Sequence, residues 1–79
     1  MARYYFDIHD GGGTTVDDTG AELPSPEAAR KEALAALGDI ARDLALNHAE
    51  GRVAIRIRDD GDPPFMEVAV TFEARTVGK

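Results

Sequence analysis

His9, Asp10, Asp17 and Asp18 fall within IHDGGGTTVDD, residues 8–18, together with three consecutive glycines. An imidazole nitrogen beside carboxylate oxygens is a ligand set for a divalent cation, and a hairpin would bring the two ends of the stretch together. Such a site needs its ligands to converge, which side chains alternating from face to face along a strand oppose. The glycines do not make a phosphate cradle, because they run into the acidic TTVDD instead of a helix carrying a lysine. The favoured reading is therefore the turn of a β-hairpin, with Asp10 to Gly13 as the turn and the carboxylates solvated. The alternative is a small-ligand or divalent-metal-binding module centred on these four residues. DDGD, residues 59–62, has the look of part of a calcium loop but lacks its spaced oxygen ligands and distal glutamate.

Catalytic chemistry finds little to use. The chain has no cysteine, and Ser25, its one serine, is taken by a helix start. Tyr5, Asp7 and His9 share a strand face that could hold an acid–base group, yet an open sheet face is no pocket. His48, near a helix end, reads as a partner of the helix dipole. No catalytic residue, metal or cofactor is expected, and the chain is not expected to be an enzyme. Arg52, Arg56 and Arg58 with Tyr5 resemble an RNA-binding sheet, but Asp7, Glu67 and Glu73 share that face. Cross-strand ion pairing is the simpler account.

The elements that must position these groups follow from periodicity. From Arg3 to His9, Tyr4, Phe6 and Ile8 alternate with Tyr5, Asp7 and His9, the pattern of a strand with one buried face. A weak edge strand over Thr14 to Asp17 returns antiparallel to it. Asp18 to Gly20 turn again, and Leu23 plugs the exit from the sheet. The helix is the strongest local signal. Ser25 is its N-cap and Pro26 its first residue, and Ala29, Ala33, Leu37, Ile40, Ala41 and Leu44 form one apolar stripe. Gly51 is expected to stop it in the left-handed conformation. RVAIRIR places Val53, Ile55 and Ile57 against Ala54, Arg56 and Arg58. DDGDPP turns, and FMEVAVTFEAR puts Met66, Val68, Val70 and Phe72 inward.

The expected fold is α+β, a ββαββ two-layer sandwich. A four-stranded antiparallel sheet in the order 2-1-3-4 is covered on one face by one long helix; order 2-1-4-3 is the alternative. A helix of about 24 residues spans about 36 Å, against about 23 Å for strands of seven, so its end overhangs and leaves Leu46 off the stripe.

The chain has 79 residues, enough for a single domain over 1–79 with a loose tail from about 76. A chain this short buries only about 60% of the surface it exposes when unfolded. Nine Lys and Arg against fifteen Asp and Glu give a formal net charge of −6. That field opposes nucleic acid and anionic membrane, and no apolar run reaches membrane-spanning length. The amino-terminal residues do not read as a signal peptide, and a cysteine-free chain fits a reducing cytoplasm. What remains is protein association: the uncovered sheet face and free edges suit a protein partner or a second copy. Tyr5, Arg56 and Arg58 are the candidate residues on the sheet face, and Leu46 at the helix end.

RYYF at 3–6, DG at 10–11, DDTGAELP at 17–24 and the helix opening EAARKEA together resemble a family of short bacterial proteins, mainly alpha-proteobacterial, catalogued as a domain of unknown function. The resemblance spans nearly the whole chain; Ala2 stands where the family often has proline. It implies a bacterial cytoplasmic protein with Asp10, Gly11, Asp18 and Gly20 as hairpin residues, and it carries over no activity, cofactor or catalytic group.

Overall fold

A computed structural model describes residues 1–60 and 63–78 of the chain. Six elements follow in order: β1 (Ala2–Asp10), β2 (Gly13–Thr15), β3 (Ala21–Leu23), α1 (Pro26–Asn47), β4 (Glu50–Asp59) and β5 (Met66–Glu73). All strand pairs are antiparallel, in the order β2-β1-β4-β5, with β3 also on β1. The expected path is present, and one strand more. Ala21–Leu23, read from sequence as a turn, pairs Ala2 to Tyr4, whereas β2 pairs Ile8 to Asp10. Two three-residue strands thus lie end to end along one edge of β1. The edge strand expected over Thr14 to Asp17 is present as the shorter Gly13–Thr15, and Ala21–Leu23 is too short to show an alternation, which is why the sequence reads as a turn there.

The helix starts as its sequence dictates. The Ser25 hydroxyl accepts from the Ala28 N–H at 3.1 Å, and Pro26 opens the first turn, where it has no donor to lose. Ala29, Ala33 and Leu37 are fully covered, and Ile40, Ala41 and Leu44 continue the stripe half-buried. The stripe lies mainly over β4 and β5. Val53, Ile55 and Ile57 of β4 form the centre of the core, with Tyr4 from β1 beside them. Such burial contributes about 1.5–3 kcal/mol per side chain, so β4, paired on both sides and covered above, is the best-anchored strand.

The helix ends differently from the expectation. Asn47 is its last residue, its side-chain amide donating to the Asp43 carbonyl at 3.0 Å, and His48 is already extended. The chain therefore enters β4 directly, and Gly51 is a strand residue opposite Phe72 instead of a left-handed helix stop. Its lack of a side chain has another cause. A Cβ there would lie 2.8 Å from the Phe72 ring, which packs over the glycine.

The expected DDGDPP turn includes Gly61 and Asp62, outside the described residues; β4 runs as far as Asp59. Among the described residues no helix is long and apolar enough to cross a membrane.

Candidate functional site

The helix covers one face of the sheet and leaves Arg3, Tyr5, Asp7 and His9 of β1 on the other. Register brings Tyr5 opposite Arg58, and Asp7 opposite Arg56. The chemistry on this face is settled by a diagonal contact: Arg58 Nε donates to Asp7 Oδ2 at 2.8 Å, while its Nη2 reaches the Asp17 carbonyl at 2.8 Å. The guanidinium also stacks 4.6 Å above the Tyr5 ring. Asp7 is 8% exposed and its other oxygen accepts the Asp17 N–H at 2.9 Å. Arg58 holds the Asp7 carboxyl below its ordinary range, outweighing the opposing effect of burial.

Asp17 completes the cluster. Midway along β1, between the stretches paired by β2 and β3, Phe6 has an N–H facing the broken edge. The Asp17 carboxylate accepts it at 3.1 Å, standing in for a strand carbonyl. Its second oxygen accepts the Thr19 and Gly20 N–H groups at 3.0 and 3.1 Å. Burial alone would raise the Asp17 pKa, but the backbone donors of Gly20, Thr19 and Phe6 outweigh it and hold the group low. Gly20 has φ +73°, and a Cβ on it would lie 2.9 Å from both the Tyr4 carbonyl and the Tyr5 ring. DDTG is thus a plug that seals a gap in an edge. Its acidic character reads from sequence as solvated turn charge; only the pairing pattern of β1 reveals the donor it serves.

The first hairpin is self-contained. Asp10 Oδ1 accepts the Gly12 N–H at 2.8 Å, the local bond of an Asx turn, and Gly13 has φ +143°. His9 Nδ1 lies 2.9 Å from the Thr14 hydroxyl across the strand pair. His9, Asp10, Asp17 and Asp18 do not come together as a group: among the described residues no three His, Asp or Glu side chains are placed to hold a metal ion. A cavity of about 390 Å³ opens at this end of the molecule, between the hairpin, Leu44, His48 and the Gly51–Phe72 pair. Of the four residues of the metal alternative, Asp10 alone lines it.

Of the candidate interaction residues, Tyr5 and Arg58 are engaged with each other and with the Asp7–Asp17 plug. Arg56 is exposed and shares Glu67 with Arg52, at 3.3 and 2.9 Å. Arg52, foremost, and Arg56 hold Glu67 below its ordinary range. Leu46 is 77% exposed on the last helical turn. The open face is therefore a lattice of opposite charges, not a basic platform.

The two sheet edges differ. The β2–β3 edge is short, interrupted and capped by Asp17. On the other side β5 is continuous over eight residues and, among the described strands, pairs with β4 alone.

A search of curated proteins and a search of solved structures each returned no match. A family model matches residues 3–71, from β1 into β5, and includes both the DDTG plug and the capped helix. The chain belongs to the family described as a domain of unknown function (DUF6894).

Proposed function

We propose that this domain is a non-enzymatic association module, acting by binding protein and in the first instance a second copy of itself. The observation that supports this most is the pair of unequal edges. One is broken and sealed by Asp17, while the other, β5, offers a continuous row of backbone donors and acceptors. Unpaired strand edges are completed by added strands, and chains that stay alone blunt both of theirs.

The side-chain chemistry agrees. Asp7 and Asp17, the most enclosed carboxylates of the open face, are saturated by Arg58 and by backbone N–H groups, so neither is poised to move a proton. In the Arg52–Glu67–Arg56 row one carboxylate is shared by two guanidiniums, which leaves a single excess positive charge on a chain of net charge −6, little of what phosphate binding uses.

The test is molar mass by light scattering on a size-exclusion column over a hundredfold range of protein concentration. A mass rising toward twice the monomer is the expected result, and the monomer mass at every concentration overturns the proposal.

A further inference from the structure

We infer that the second copy adds along β5, antiparallel, in one register that places Thr71 opposite Thr71 across a two-fold axis. This rests on the association proposed above and names its surface and geometry. The backbone of β5 sets which groups are free. Ala74 N–H donates to the Ala49 carbonyl at 2.6 Å, in step with the Glu50–Glu73 and Gly51–Phe72 partners that follow. Partners that exchange backbone bonds alternate with partners that do not. Ala74, Phe72, Val70 and Val68 therefore turn their N–H and C=O groups toward β4, and Glu67, Ala69, Thr71 and Glu73 turn theirs to the free edge. A copy can then pair only with odd residues facing odd residues, so allowed registers differ by steps of two.

Opposite charge chooses among them: with Ala69 on the axis Glu67 faces Thr71 and no ion pair crosses the edge. With Val70 on the axis, Glu67 faces Glu73 twice, and like charges directly opposite are destabilising. One step along, with Thr71 on the axis, Glu67 faces Arg75 of the other copy twice, Ala69 faces Glu73, and the two threonines meet. The Arg75 side chain is 79% exposed and, among the described residues, holds Glu73 alone, at 3.4 Å; it would approach Glu67 from the free edge, opposite the β4 side from which Arg52 and Arg56 reach it. On the helix side the same register sets Val70 beside Phe72 of the copy, joining two half-buried apolar rows into one. Met66–Glu73 contains no proline and no lysine, the residues that commonly keep an edge unpaired.

The chain has no cysteine, so an introduced one reports its own neighbour. Facing residues of an exchanging pair have Cα atoms about 5.5 Å apart, within disulfide reach. The experiment introduces Thr71→Cys, Ala69→Cys and Glu73→Cys singly and follows oxidation by non-reducing gel. Cross-linked dimer is expected with Thr71→Cys, with little from the other two. Arg75→Glu, which touches no core residue, should weaken dimerisation roughly tenfold by placing like charge opposite Glu67. A dimer that cross-links best at 69 or 73, or at none of the three, or that ignores Arg75→Glu, overturns the register and leaves self-association standing. A monomer at every concentration overturns both.

Discussion

Asp17 and Asp18 are adjacent and chemically identical, and the fold treats them oppositely. Asp17 receives three backbone N–H groups, while among the described residues Asp18 accepts the Thr19 hydroxyl alone, at 3.3 Å. Asp17→Ala leaves the Phe6 donor without a partner and should cost about 2 kcal/mol in urea unfolding; Asp18→Ala should stay within about 0.5 kcal/mol of the parent. Equal effects would mean that Asp17 does not seal the edge. Asp17, together with Asp7, sets the acid limit. Asp7 and Asp17 both have pKa values lowered in the folded state, so the unfolded chain binds more protons as pH falls. Their contribution is fully present above the unfolded carboxylate value of about 4 and is lost as pH falls through the lowered folded values. Urea midpoints should therefore drop below about pH 4, and Asp17→Asn should make that drop shallower.

At the scale of elements, α1 carries an unneeded weakness. Gly38 lies on the exposed side of the helix with helical backbone, and a Cβ there meets nothing within 4 Å. Gly38→Ala should raise stability by about 1 kcal/mol, measurable as a higher urea midpoint with unchanged slope. Gly51 is the contrast. It too is free of positive φ, but the Phe72 ring occupies the space its side chain would take. Gly51→Ala must displace that ring from the end of the core and should lower stability by about 1–3 kcal/mol. A higher urea midpoint in that variant would show that the ring moves aside at no cost. Two glycines, one free to change and one not, separate propensity from packing.

The whole molecule is thin. Its radius of gyration is 14.3 Å, with extents of 54 × 22 × 17 Å, against about 12 Å for a globular chain of this length. One helix over one sheet covers few side chains from all sides, and Val68, Val70 and Phe72 at the β5 edge stay half-buried. Edge pairing would extend the sheet through the side where that core is thinnest. Leu46, exposed on the last helical turn, is a competing contact. If β5 carries the association, Leu46→Glu should leave the concentration dependence of molar mass unchanged by light scattering, and a shift to monomer would place the contact at the helix end.

Local chemistry made much of this protein legible. The Ser25-Pro26 start, the Ala29–Leu37 stripe, the alternation of β1, β4 and β5 and the Asp10–Gly13 turn are each written in neighbouring residues, because caps, periodicity and turn preferences act within a few positions of the chain. Those signals determined the α+β class, but they left the strand order open between 2-1-3-4 and 2-1-4-3, and the pairing of β1 with β4 decided it. Tertiary structure decided what depends on residues far apart. Ala21–Leu23 became a strand because β1 offered it an unpaired edge, and Asp17 became a cap because the two short strands left Phe6 between them. Tyr5 and Arg58, free on a strand read alone, were drawn into one cluster by the β1–β4 register. Gly51, placed as a helix stop by its spacing, was claimed by the Phe72 ring across the sheet. Hydrogen-bond demand and side-chain volume are settled between elements, and no single segment of the sequence carries both sides of either.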